Sequence, residues 1–134
     1  MAQPIAPPYP TIQAQDGRVT ILDQRALPYA VRFLTLTTWQ ETAEAIRSMA
    51  VRGAPLIGVT AAYGVALAMT SSCDDTTLAN TLSALAATRP TAVNLQWALT
   101  RMAQRLQPLP PEARAAVAWQ EAQAIQEEDA ALCQ

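Results

Sequence analysis

Arg52-Gly53-Ala54-Pro55-Leu56-Ile57-Gly58-Val59-Thr60-Ala61-Ala62-Tyr63-Gly64-Val65-Ala66-Leu67-Ala68-Met69 joins a charged loop to an uncharged run, and the rest of the chain is organised around it. Pro55 suits the first turn of a helix, where its missing N–H is not needed and its fixed φ is already helical. Gly53 and Ala54 carry little side chain to cover the backbone amides just ahead of that turn. An anion arriving there meets bare N–H donors, the positive end of a helix dipole and the guanidinium of Arg52. Residues 53–73 contain no charge, which raises the question of a membrane span, since a span needs about twenty such residues. The run is rich in alanine rather than leucine, holds Pro55, Gly58 and Gly64, and ends on Asp74-Asp75. A buried core helix with small residues for close packing is the better reading.

Working outward toward the N-terminus, residues 1–10 hold Pro4, Pro7, Pro8 and Pro10 and read as a flexible lead. Thr11 to Gln15 and Arg18 to Leu22 alternate apolar and polar positions around Asp16-Gly17, which is a hairpin signal. After a break at Asp23 to Pro28, Val31 to Leu36 resumes the alternation as a third strand. Residues 11–36 therefore form a small antiparallel sheet that must lean on helices to be stable. Residues 37–134 read as a helical bundle. Thr38 and Glu41 have the spacing of a capping box, with Trp39, Thr42, Ala43, Ile46 and Met49 on one face and a stop near Val51.

Toward the C-terminus, Asp74 or Ser72 caps a third helix through Leu78, Leu82 and Leu85, which ends before Arg89-Pro90. Thr88-Arg89-Pro90-Thr91 repeats the chemistry of the opening stretch, with an arginine and a proline at a helix threshold and Thr91 as N-cap. That fourth helix buries Leu95, Ala98, Leu99, Met102 and Leu106, and Arg101 and Arg105 suit its C-terminal end. Pro110-Pro111-Glu112 opens a fifth helix through Val117, Ala118, Ala122, Ile125 and Leu132. Its last turns carry Glu127-Glu128-Asp129, a solvated acidic run that opposes the dipole, so a longer natural helix is expected. The fold class is α+β: a three-stranded antiparallel sheet followed by about five helices.

Composition narrows the function. The chain has 134 residues, 51% of them apolar, and a net charge of −2. That suffices for one domain with a real core. All nine basic residues are arginines scattered singly between Arg18 and Arg114. No basic stripe exists for a nucleic acid backbone. There is no histidine, and Cys73 and Cys133 lack metal-ligand spacing, which excludes a zinc site and a histidine-dependent triad. No secretory leader is evident, which points to the cytoplasm.

Each candidate residue has an ordinary reading beside the functional one. Arg52 with Gly53 and Ala54 is a phosphate-binding corner or an ordinary helix start with a solvated arginine, and local spacing favours the latter. Arg89 carries the same ambiguity. The pair points to an anion site only if the fold brings both thresholds to one side. Asp23 reads as a strand-end carboxylate bonded to turn amides rather than a catalytic acid. Tyr63 and Trp97 read as core, and Cys73 has no basic neighbour to stabilise a thiolate. No set for general acid–base work stands out.

Three motifs in order, Leu22-Asp23-Gln24-Arg25-Ala26-Leu27-Pro28, Met49 to Gly64, and Thr88-Arg89-Pro90-Thr91-Ala92-Val93-Asn94-Leu95, closely resemble the N-terminal domain of the S-methyl-5-thioribose-1-phosphate isomerases. Ribose-1,5-bisphosphate isomerases and the regulatory subunits of the translation initiation factor 2 exchange factor share that architecture. The resemblance implies an aldose–ketose isomerase of methionine salvage, converting 5-methylthioribose 1-phosphate to 5-methylthioribulose 1-phosphate without metal or other cofactor. It implies that Arg52, Gly53, Ala54 and Arg89 contact the phosphorylated sugar, the expected small-molecule partner. A homodimer is expected of the full-length protein, with neither nucleic acid nor membrane as partner. The family's catalytic cysteine and aspartate belong to a C-terminal Rossmann-like domain outside these residues, and neither Cys73 nor Cys133 fills the motif. The chain alone is expected to bind weakly and to catalyse nothing.

Overall fold

The structure, a computed structural model, describes residues 12–15, 17–23, 32–48 and 54–132. Strands β1 (Ile12–Gln15) and β2 (Arg18–Leu22) form the hairpin expected from the alternation, in the register Ile12 to Ile21 and Gln15 to Arg18. Gly17 closes the turn at φ 74°, a left-handed conformation that costs glycine nothing. Strand β3 (Phe33–Leu36) pairs antiparallel with β2, giving the order β1-β2-β3. The third strand starts at Phe33 rather than at the expected Val31, which lies outside the described residues. Ile12, Val19, Ile21 and Leu36 are buried on the face that meets the helices. The sheet thus leans on the bundle, as three short strands must.

Helix α1 (Trp39–Arg47) begins with the expected capping box. The Thr38 hydroxyl accepts from the Glu41 amide at 3.1 Å, and the Glu41 carboxylate accepts from the amides of Thr37 and Thr38 at 2.8 and 3.2 Å. The helix ends at Arg47, short of the expected Val51. Ser48 turns out of helical geometry at φ −84°, ψ 1°, while its amide still closes the last turn on the Glu44 carbonyl.

Helix α2 (Ala54–Ser71) packs against α1, α3 (Asp75–Thr88), α4 (Val93–Leu106) and α5 (Pro111–Leu132). Every residue from Ile57 to Met69 is buried. Apolar on all sides, it is the axis of the bundle. Its two threonine hydroxyls bond back to the helix's own carbonyls: Thr60 donates to that of Leu56 at 2.8 Å and Thr70 to that of Ala66 at 2.9 Å. Among the described residues no helix is long and apolar enough to cross a membrane.

Asp74, not Ser72, caps α3, its carboxylate accepting from the Thr77 amide at 2.7 Å. Leu78, Thr81 and Leu85 form the buried stripe and Leu82 is half-buried, so Thr81 takes a place expected of leucine. Helix α4 buries all five expected residues. Its N-cap, however, is Ala92, which has no side-chain cap, and not Thr91. The reason is a tight turn: the Ala92 amide donates back to the Arg89 carbonyl at 3.0 Å, and the Ala92 carbonyl then accepts the first helical bond from Gln96.

Arg114 fixes the direction of the helices. It is 3% exposed, and its guanidinium donates to the carbonyls of Leu106, Gln107 and Cys73 at 3.1, 3.3 and 3.0 Å. The C-terminal ends of α2 and α4 therefore meet at one pole, beside the start of α5. The two helices run parallel, and their N-terminal ends share the opposite pole.

Candidate anion-binding corner

Of the four residues expected at the site, Arg52 and Gly53 lie outside the described residues. Ala54 opens α2, and Arg89 is the half-buried C-cap of α3, at φ −147°, ψ 81°. The described residues bear on the helices these two thresholds lead into, α2 and α4. A Cβ placed on Gly58, one turn into α2, would stand 2.8 Å from the backbone oxygen of Asn94 and 3.4 Å from the Ala98 Cβ. Gly58, where the second turn of α2 begins, is thus packed closely against the backbone of the first turn of α4, and the Arg89 turn leads directly into α4.

The helix starts differ in charge. The first turns of α1, α3 and α5 carry Glu41, Asp75 and Glu112, whereas those of α2 and α4 carry no acid. The first turns of these two helices therefore offer no carboxylate of their own to the positive end of the dipole, and the amides at the start of α4 receive no side-chain cap. Amides at a helix N-terminus are suited to a phosphate or carboxylate. Gln96 ties the corner to α3 by donating to the Ala86 carbonyl at 3.0 Å.

Two residues read as ordinary behave otherwise. Trp97 was expected in the core and is 52% exposed. With Val93 and Arg101 it lies at i, i+4 spacing on the face of α4 opposite Leu95, and the Arg101 guanidinium sits 5.5 Å from its ring centroid. Nor is the acidic run wholly solvated. Both oxygens of Glu128 accept from Arg101 at 2.7 and 2.8 Å, which holds the Glu128 carboxyl below its ordinary range, and Glu121 accepts from the same guanidinium. With two carboxylates as partners, Arg101 is already neutralised as an anion ligand.

Tyr63 is in the core as expected, its ring 5.8 Å from that of Trp119 and its hydroxyl donating to Gln126. Burial first, and the charge of Glu127 second, push the phenol up to about 12. Asp23 sits buried at the end of β2, its amide donating to the Arg32 carbonyl at 2.7 Å. Cys73 is half-buried and its carbonyl serves Arg114. Among the described residues no cluster of histidine, cysteine, aspartate and glutamate could hold a metal.

A cavity of about 590 Å³ opens between the hairpin and α5, lined by Tyr63, Trp119, Gln123 and Gln126. Tyr63 stands nine residues beyond Ala54, roughly 14 Å along the helix. Among the described residues no arginine lines this cavity, which lies away from the starts of α2 and α4.

The sequence reading missed Arg114, counted there among scattered charges. A signal existed: Arg114, Ala118, Ala122 and Ile125 fall at i, i+4, i+8 and i+11, which places the arginine on the buried stripe of α5.

The three-stranded sheet packed on a helical bundle is shared with solved structures of an isomerase and of an initiation-factor subunit. It is similar to the crystal structure of 5-methylthioribose 1-phosphate isomerase from Pyrococcus horikoshii, with TM-score 0.82 and 35% identity over 88% of this chain and 36% of that one. It is equally similar to translation initiation factor eIF-2B subunit delta from A. fulgidus, with TM-score 0.81 and 34% identity over 90% of this chain and 37% of that one. Residues 50–134 match the model of the initiation factor 2 subunit family, and the chain belongs to that family. Among curated relatives it is 55% identical over 128 residues to the methylthioribose-1-phosphate isomerase of Methylobacterium nodulans, covering 94% of this chain and 35% of that protein. It is 53% identical to the isomerase of the same name from Dechloromonas aromatica, covering 92% of this chain and 35% of that protein. The chain spans about a third of the length of the curated relatives it matches.

Proposed function

We propose that this chain is the N-terminal part of an aldose–ketose isomerase that converts 5-methylthioribose 1-phosphate to 5-methylthioribulose 1-phosphate. Its part in the reaction is to hold the phosphorylated sugar at the pole where α2 and α4 begin. Arg52 and Arg89 supply positive charge, and Gly53 and Ala54 leave the amides of the first α2 turn open to phosphate oxygens. The observation that carries this reading is the contact of Gly58 with Asn94, which brings two acid-free helix starts together. The groups that move the proton belong to the remainder of the longer protein, so the 134 residues alone bind weakly and do not catalyse. The complete protein is read as a cytoplasmic homodimer acting without nucleic acid.

The likeness to the eIF-2B subunit supports a second reading, a non-catalytic regulatory subunit. The two solved structures do not choose between them, since their TM-scores are 0.82 and 0.81 and their identities 35% and 34%. Identity of 55% to a curated isomerase favours the enzyme. A fusion of this chain to the remaining portion of the Methylobacterium nodulans relative tests it. The fusion is expected to isomerise 5-methylthioribose 1-phosphate, and Arg52→Ala or Arg89→Ala to raise KM by tenfold or more, on the order of the 1.5–3 kcal/mol of a charge-assisted hydrogen bond. An active fusion whose kinetics neither substitution alters overturns the assigned site.

A further inference from the structure

We infer that Val93 and Trp97, an exposed apolar stripe on α4, are the surface on which the remainder of the longer protein docks, through an apolar and uncharged face of its own. The inference rests on the reading of this chain as the N-terminal part of a longer protein. Among the described residues the large apolar side chains left exposed are Phe33, Val93 and Trp97, and the last two fall at i, i+4 on one face of α4. Val93 is 77% exposed. Trp97 is held in place: the Arg101 guanidinium lies over its ring, and Glu121 and Glu128 hold that guanidinium in turn. An aromatic side chain fixed before contact suits the centre of an interface, because little ordering is left to do on association.

The neighbours of the stripe set the chemistry of its occupant. Arg101 and Arg105 are matched by Glu121 and Glu128, so a partner finds no unmatched charge there, whereas an apolar one removes the indole from water. Size decides between occupants. At their exposures the two side chains offer on the order of 250 Å². A stable contact between separate molecules needs roughly 800 Å² on each side, so the stripe is too small to hold a second copy of this chain. A tethered occupant needs less, since the linkage keeps it at an effective concentration of millimolar order. The curated relatives are about three times as long as this chain, which supplies such an occupant beyond α5. Arg105 faces Glu121 at 3.8 Å, while Arg101, one turn nearer the start of α4, reaches both Glu121 and Glu128. The two helices are therefore antiparallel, and α5 advances toward the start of α4. Leu132 of α5 stands four residues beyond Glu128, roughly 6 Å along the helix, just as Trp97 stands four residues before Arg101. Chain that follows α5 emerges beside the stripe.

The test compares hydroxyl-radical oxidation, read residue by residue in a mass spectrometer, between the 134-residue chain and its fusion to the remaining portion of the Methylobacterium nodulans relative. Tyr63, buried in the core, reports that each is folded. Trp97 is expected to oxidise roughly five- to tenfold more slowly in the fusion, as the ring passes from half-exposed to the dry centre of a contact. Val93→Asp in the fusion is expected to restore the faster oxidation of Trp97. An acid at that position favours the α4 start, so lost docking is not lost fold. Equal oxidation of Trp97 in chain and fusion overturns the docking, as does protection that Val93→Asp leaves intact. Protection in the 134-residue chain alone, with the mass of a dimer in light scattering, makes a second copy the occupant and overturns it too. Isomerase activity of the same fusion is read separately. An active fusion with Trp97 unprotected removes the docking and leaves the proposed function, and an inactive fusion with Trp97 protected does the reverse.

Discussion

Arg114 carries three backbone carbonyls on a guanidinium that is almost wholly enclosed, while its ion-pair partner Asp75, at 2.6 Å, has a side chain 87% exposed. The fork is inside and the counter-charge outside, so the carbonyls depend on the arginine rather than on water. Arg114→Met is expected to destabilise the chain by roughly 2–4 kcal/mol, because buried acceptors lose their donors. Arg114→Lys should recover little of this, since one ammonium cannot serve acceptors spread over the ends of two helices. Urea-unfolding midpoints measure both, and a loss below about 1 kcal/mol for Arg114→Met would contradict the role. The residue was missed in the sequence because charge was weighed there as a property of the surface. Its spacing with Ala118, Ala122 and Ile125 already placed it on the inner face of α5.

At the level of elements, what was legible followed from local chemistry. The hairpin and the α1 capping box depend on residues no more than nine positions apart, Ile12 and Ile21 being the widest pair, and both stand where the alternation and the S/T-x-x-E spacing put them. The start of α4 was misread for the same reason. Thr91 and Ala92 are equally placed in sequence, and only the turn from Arg89 to Ala92 decides which of them precedes the helix. Trp97 was misread because an aromatic residue in a helix was assumed to face inward, whereas the buried stripe of α4 was already filled by smaller residues. The two caps make a paired prediction. Thr38→Ala is expected to cost about 1 kcal/mol, as a lost N-cap does, and Thr91→Ala to stay within about 0.5 kcal/mol. Unfolding in urea compares them directly, and an equal loss from both would restore Thr91 as a cap.

At the scale of the whole molecule, the candidate site depends on a relation that no local pattern contains. The starts of α2 and α4 lie on one side because the two helices are parallel, as the contacts of Gly58 with Asn94 and of Arg114 with the carbonyls of Cys73 and Leu106 show. The sheet is joined to this bundle by a second long-range link: Gln126 accepts from the Tyr63 hydroxyl and donates to the Ile12 carbonyl at 3.0 Å. That link titrates. The folded chain holds the Tyr63 phenol protonated up to about 12, against about 10 for an exposed tyrosine. Between those values the folded state binds the proton and the unfolded state has released it. The stabilisation is therefore fully present below pH 10 and is lost as pH rises toward 12. Two pKa units correspond to roughly 2–3 kcal/mol. Unfolding of the wild type is expected to become easier by about that amount across the window, beyond the change shown by Tyr63→Phe, which has no proton to lose there. Tyr63→Phe starts less stable at neutral pH, because the Gln126 oxygen loses its donor, and the two stability curves converge as the pH approaches 12. Parallel curves across the window would mean that the phenol is not held neutral by the fold, and that the link between sheet and bundle does not run through its proton.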